Sequence, residues 1–315
     1  MVIVITLIKL RYQITQSNQQ DFIMYKNRLV FVLLFSFTYF FQTSNVFAQT
    51  ETTDLTKAVS GLKLRGIGPA MMGGRIADIA VSPTNKSTWY VAVGSGGLWK
   101  TTNRGTTWEP IFDSQKSYSI GTVTIDPNNP EVIWVGTGEN VSGRHVAWGD
   151  GVYKSVNGGK TWTQMGLEKS EHIGKILVHP RNSEVVFVAA EGPLWSSGGE
   201  RGLYKTSDGG KTWQLVLEID KNTGVTDMEF DPSNPDVIYA AAYQRRRQTW
   251  SLLAGGPKSG IYKSTDNGDS WNQVKTGLPN GDIGKIGLAV TPANAEVVYA
   301  TIEASDKEKG FYKSI

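Results

Sequence analysis

GLYKTSDGGKTW, residues 202–213, decides the fold of this chain because the phrase recurs. GLWKTTNRGTTW begins at Gly97, GVYKSVNGGKTW at Gly151 and GIYKSTDNGDSW at Gly260, and GFYKSI from Gly310 repeats the opening up to Ile315. The copies start 54, 51, 58 and 50 residues apart. That period fits a four-stranded propeller blade and is too long for most helical repeats. Upstream of each copy stands a second signature, an apolar run, a Pro turn and another apolar run, as in VTIDPNNPEVIWVGT and MEFDPSNPDVIYAAA. One unit therefore reads strand, turn, strand, loop, strand, turn, strand. In the second unit the strands are expected near 120–126, 131–137, 150–156 and 160–166.

The strands are rich in Val, Ile, Tyr, Phe and Trp and are often apolar on both faces, as expected of a blade packed between two neighbours. No helical periodicity is found after residue 60. The expected fold is all-β: a β-propeller of four-stranded antiparallel blades over 61–315, four complete and one partial, forming an open arc of a larger propeller.

Each letter of the repeated phrase has a physical reason. Asn103, Asn157, Asp208 and Asp266 are placed to accept hydrogen bonds from the amides of their own turn, and Gly105, Gly159, Gly210 and Gly268 to take the positive φ of a tight hairpin. Trp108, Trp162, Trp213 and Trp271 are expected to pack back over the hairpin as apolar anchors. Like sites in successive blades are repeated turn chemistry, whereas a catalytic or calcium site is usually singular. Lys100, Lys154, Lys205, Lys263 and Lys313 are expected to lie along apolar surface at the rim.

Composition narrows the function classes. The chain has 315 residues with 35 Gly, 12 Pro and 10 Trp, a mix suited to many short strands joined by tight turns. Net charge is +3 with scattered basic residues, so the electrostatic footprint of a nucleic-acid binder is missing. Cysteine is absent, which removes disulfides, thiolate catalysis and Cys metal sites; no cofactor and no metal are expected.

Met24 opens a stretch that reads as a secretory signal over 24–48. Lys26 and Arg28 form its positive start, Leu29 to Phe41 its apolar run of 13 residues, and Val46-Phe47-Ala48 its cleavage site. The run is shorter than the roughly 20 residues of a membrane span, so none is expected after cleavage, and the mature protein is expected outside the cytoplasm, secreted or periplasmic. Residues 1–23 read as an upstream extension, with Met1 and Met24 both open as the start, and 49–60 as a linker.

Blade topology separates the loops into two edges. The first and third connections of each blade, the Pro turns and repeated turns, share one edge; the long, dissimilar loops from Glu139, Glu191 and Gln244 share the other with the interblade links. Variable polar loops on a repeated scaffold are where binding usually lives. Candidate catalytic carboxylates are Glu139 and Glu191 at second-strand ends, where Glu303 also falls, and Asp78 and Asp227, five residues before the turn Pro of the innermost strand and facing the central channel. A glycosidase needs two such carboxyls about 5–10 Å apart. Candidate ligand-binding residues are Arg75, Arg144, Arg201, Arg245 and Arg246 for bidentate grip of an anion, and Trp148, Trp195, Tyr243 and Trp250 as stacking platforms. His145 and His172 complete the set on that edge, while His179 replaces the Asp of an Asp-Pro turn and is structural.

The closing motif resembles the Asp-box or BNR repeat of sialidases, sortilin-type domains, xyloglucan-degrading hydrolases and photosystem assembly factors. Over about 61–315 the chain is similar to the N-terminal propeller of large secreted bacterial proteins with sortilin (Vps10) or BNR repeats, which are grouped with glycosyl hydrolases. Where the xyloglucan-degrading hydrolases carry an Asp before the paired Gly of their first blade, this chain has Gly94 and Ser95 in VAVGSGGLWK. Arg75-Ile76 is similar to the first Arg of sialidases. The resemblance implies the fold and leaves three functions open: an extracytoplasmic module binding a glycan or peptide, a glycoside hydrolase, or an assembly scaffold, each completed by further blades.

Overall fold

The computed structural model describes Gly61, 74–141, 143 and 146–314. Met71–Ile315 is one compact unit; of the other, Met1–Ala70, only Gly61 is described. The expected extension, signal segment and linker, together with Arg144 and His145, lie outside the described residues.

Blade 1 is a meander of β1 (Arg75–Val81), β2 (Trp89–Gly94), β3 (Gly97–Thr101) and β4 (Glu109–Pro110). Blade 2 repeats it with β5 (Ile120–Asp126), β6 (Asn129–Thr137), β7 (Val152–Ser155) and β8 (Thr163–Gln164), and blade 3 with β9 (Ile173–His179), β10 (Asn182–Ala190), β11 (Gly202–Thr206) and β12 (Gln214–Leu217). Blade 4 pairs β13 (Thr223–Phe230), β14 (Ile238–Arg247), β16 (Gly260–Ser264) and β17 (Asn272–Val274), with β15 (Leu252–Ala254) added beside the far end of β14. Blade 5 has three described strands, β18 (Ile286–Val290), β19 (Val298–Ile302) and β20 (Gly310–Lys313). A single 3-10 turn, Glu168–Ser170, is the only helical element of the described residues, and no helix among them is long and apolar enough to cross a membrane. The expected strands of the second unit agree within a few residues.

The core lies between blades. Tyr90, Leu98, Phe112, Ile120, Ile133 and Tyr153 fill the space between blades 1 and 2, and Trp134, Val152, Ile173, Ile176 and Val188 that between blades 2 and 3. Phe187, Leu203, Met228 and Ile238 join blades 3 and 4; Ala241, Ile261, Ile286 and Leu288 join blades 4 and 5. This explains why the strands are apolar on both faces. At the two ends of the arc the faces are bare: Ile79 is 52% exposed in blade 1 and Phe311 68% in blade 5.

The repeated turns behave as their sequence requires. In blade 3 Asp208 Oδ1 accepts Thr212 N at 2.9 Å and Thr206 Oγ1 donates to it at 2.7 Å, while Gly209 and Gly210 take φ of 71° and 96°. The Ser270 hydroxyl and amide hold the matching Asp266 carboxyl down at about 2. Asn103 and Asn157 accept the corresponding amides of Thr107 and Thr161 at 2.9 Å. Gly158 N donates to Glu131 O, and Gly209 N to Glu184 O, so each repeated turn sits on the Pro turn of its own blade. Both turns share one edge, as the topology demands.

The anchors also reach beyond their own hairpins. Trp162 Nε1 donates to Ile111 O at 2.8 Å and Trp213 Nε1 to Met165 O at 2.6 Å, each in the preceding blade. Trp271 turns back to Gly268 O of its own hairpin, and Trp108 is 40% exposed. The repeated lysines reach forward: Lys100 Nζ donates to Gly158 O, Lys154 Nζ to Gly209 O and Lys205 Nζ to Asn267 O, at 2.9, 3.1 and 2.7 Å. Each lies over an aromatic of its own blade, Tyr90, Trp134 and Phe187 respectively. Lys263 covers Tyr239 in the same way.

Candidate functional site

The first strands β1, β5, β9, β13 and β18 pack against one another in chain order and form the innermost layer. Register shifts near their starts, between Ile76 and Asp78, Ile120 and Thr122, and Val225 and Asp227, mark β-bulges that re-aim the next residue. Asp78 and Asp227 follow two of these bulges, as the slot five residues before the Pro predicts. Both open into a cavity of about 800 Å³, together with Glu303, Lys175 and Lys285.

Both carboxylates also brace the next or a neighbouring blade. Asp78 Oδ2 accepts Thr122 Oγ1 at 2.7 Å and Val123 N at 3.1 Å; Asp227 Oδ2 accepts Leu288 N at 2.8 Å. Lys175 occupies the equivalent slot of blade 3 and lies 3.4 Å from Asp227 and 3.0 Å from Glu229. Burial works against the Lys175 ammonium, but these two carboxylates outweigh it and raise its pKa. Asn140 spans the inner ends of three blades, donating to Gly174 O and Thr226 O while Lys285 Nζ donates to its Oδ1 and backbone O at 2.6 Å each. Lys175, Lys285 and Asn140 escape a search for acids alone; Lys175 was detectable by aligning the slot rather than the residue type.

On the long-loop edge the candidate carboxylates are not free. Glu139 is 1% exposed, paired with Arg75 and hydrogen-bonded by Ser95. Glu191 is 4% exposed, with Oε2 2.8 Å from Arg245 Nη1. Of the second-strand-end acids only Glu303 is exposed, accepting Lys285 N at 3.2 Å.

Arg201 is buried and turned into its own loop, donating to the carbonyls of Glu191, Pro193, Ser196 and Gly198, and burial draws its pKa down to about 10. The expected anion grip by Arg201 and Arg245 is therefore corrected, because both guanidinium groups are already committed inside the protein. Tyr243 is corrected for the same reason: it is 3% exposed within β14, burial raises its phenol to about 12, and its ring offers no open face. His172 is buried, so it too is closed to a ligand.

The stretch from Gln244, expected as a long loop, is in part a strand pair. β14 runs on through Arg245, Arg246 and Arg247 and pairs with β15 over Leu252–Ala254, whose side chains stay exposed. This extension carries the arginines to the neighbouring loops. Arg245 Nη2 donates to Val141 O at 2.5 Å, and Arg247 lies over the Trp195 ring at 5.7 Å with Nη1 3.5 Å from Gly143 O. Arg246 is half-buried beside them. Blades 2, 3 and 4 thus present one joined loop surface. From it Trp148, Trp195 and Trp250 stand 68%, 50% and 82% exposed, while Arg75 keeps an exposed side-chain fraction of 49%.

Comparison with known proteins matches this chain to the family model described as "Sortilin, neurotensin receptor 3," over residues 150–312. An oligoxyloglucan-reducing end-specific xyloglucanase of Emericella nidulans is 22% identical over 222 residues, 64% of this chain and 24% of that protein. A xyloglucanase of Acetivibrio thermocellus is 25% identical over 242 residues, 65% of this chain and 26% of that protein. The chain thus spans about a quarter of the length of these relatives. Among solved structures, an ancestral GH74 enzyme superposes with a TM-score of 0.56 at 20% identity over 76% of this chain and 30% of that one. The Niastella koreensis GH74 enzyme gives 0.52 at 24% identity over 75% and 35%. These likenesses establish the propeller fold.

Proposed function

The chain belongs to the Sortilin-Vps10 family, and from that premise we propose that it is an extracytoplasmic propeller binding a glycan through the loops between its second and third strands. The observation that carries the reading is the joined surface of exposed Trp148, Trp195 and Trp250 on the edge where Glu139 and Glu191 are sealed in ion pairs. Large apolar rings kept in water at a rigid polar rim suit the C–H faces of sugars, and variable loops on a fixed scaffold are the usual place for recognition. The names of the relatives make xyloglucan the first glycan to test. A leader over 24–48 and further blades covering Ile79 and Phe311 belong to the same reading.

Affinity electrophoresis in xyloglucan-containing gels is the direct test. Retardation of the chain, reduced by Trp250→Ala and Trp195→Ala and abolished when Trp148→Ala is added, is the expected outcome. Retention of a peptide library with no glycan bound would reverse the choice of ligand.

A second reading, a glycoside hydrolase, is favoured by Asp78, Asp227 and Glu303 opening into one cavity. It requires release of sugar that Asp227→Asn abolishes while the circular dichroism spectrum is unchanged. A pure assembly scaffold would show neither binding nor turnover.

A further inference from the structure

A separate cavity of about 640 Å³ lies where blades 1 and 2 meet on the long-loop edge, lined by Tyr118, Trp148, Asp150, Lys116 and Ser95 among others. Small-molecule sites commonly occupy ~300–1,000 Å³. Tyr118 is 63% exposed, as open as Trp148. It stands in an interblade link just before β5, where attention to the long loops misses it.

Both rings are carried on anchored backbone. Tyr118 O accepts Gly97 N at 2.7 Å. Beside Trp148, Ala147 O accepts Glu139 N at 2.9 Å and Ser119 Oγ at 3.0 Å, and Gly149 N donates to Glu171 O at 2.7 Å. The backbone that carries the two rings is set before any ligand arrives, which lowers the ordering cost of binding.

Asp150 is held as firmly. Its amide donates to Thr137 Oγ1 at 2.8 Å, its carbonyl accepts Gln164 Nε2 at 2.7 Å and its Oδ2 accepts the Tyr153 hydroxyl at 2.7 Å. Burial, and then the Asp150 hydrogen bond and charge, raise the Tyr153 phenol well above its ordinary value, so it remains the donor. Oδ1 has only a long contact, 3.4 Å from Thr137 Oγ1, and keeps acceptor capacity.

We propose that Tyr118, Trp148 and Asp150 form a subsite for one neutral pyranose ring of a glycan chain. The two aromatic side chains take the apolar faces of the sugar and Asp150 Oδ1 accepts its hydroxyl protons. The wall carries one carboxylate, Asp150, and one ammonium, Lys116, so it has no net charge to draw an acidic sugar to this position. The subsite rests on the glycan reading given above.

Isothermal titration of the full chain with xyloglucan oligosaccharides, and with oligogalacturonides as the acidic comparison, tests it. Tyr118→Ala and Asp150→Asn should each weaken binding of the neutral oligosaccharide by roughly five- to tenfold, the worth of one aromatic face or of the charge on one hydrogen bond whose acceptor oxygen Asn retains. Tyr118→Phe should bind as the unsubstituted chain does. Glycan binding untouched by Tyr118→Ala and Asp150→Asn would overturn the subsite and leave the glycan reading standing. Loss in Tyr118→Phe equal to that in Tyr118→Ala would overturn the stacking role, and tighter binding of the oligogalacturonide would overturn the choice of a neutral sugar. Absence of any glycan binding by the unsubstituted chain would remove the parent reading and the subsite together.

Discussion

His172 shows how a single side chain ties the loop edge to pH. It is 2% exposed beside Glu191, whose amide donates to His172 O, and under the field of Arg245 and Arg201. Burial lowers its proton affinity first; Glu191 opposes this, while the two arginines add to it. The folded value therefore lies below the unfolded value of about 6.5. Its contribution to stability is complete above that pH and is lost as pH falls toward the folded value, because the unfolded chain then binds the extra proton. Each tenfold weakening of proton affinity on folding is about 1.4 kcal/mol. The melting temperature should accordingly fall between pH 7.5 and pH 5.5, and His172→Gln should make that fall shallower. Equal slopes in both proteins would show that other groups govern the response.

At the scale of the element, the repeated hairpin is more than a turn. Its lysine holds the next blade and, in blades 2 and 3, its tryptophan holds the previous one, so neighbouring sheets are pinned in both directions. Lys154→Met keeps the aliphatic stem over Trp134 but loses the Gly209 carbonyl and the charge over the ring, at a cost of about 1–2 kcal/mol. Urea unfolding should show a lower midpoint than in the control Lys160→Met, whose site is exposed. The strands, the two edges and the turn chemistry were legible in the sequence because each depends on residues a few positions apart. The loop site was not: Arg245 meets Val141 and Glu191 at separations of 104 and 54 residues. Chain-local patterns carry no trace of such pairings, so Glu191 reads as an available acid until its partner is seen. The run Gln248 to Ser259 likewise reads as a loop, because the pairing of Leu252 to Ala254 depends on a strand already extended beyond its usual length.

At the scale of the whole molecule, the cores among the described residues lie between sheets, so each blade is stabilised chiefly by its neighbours, as in other repeat proteins. The forward lysines add a direction to that dependence. Lys100 needs a carbonyl made 58 residues later and Lys205 one made 62 residues later. During synthesis the ribosome has therefore finished a blade well before the acceptor that locks it exists, and folding must run in arrears of translation by about one repeat. Nascent chains arrested at successive lengths should develop pulling force in steps that follow the appearance of Gly158, Gly209 and Asn267, not the last strand of each preceding blade; steps at the blade ends would rule this out. Until each such carbonyl emerges, the newest sheet is a provisional structure with one apolar side open to chaperones.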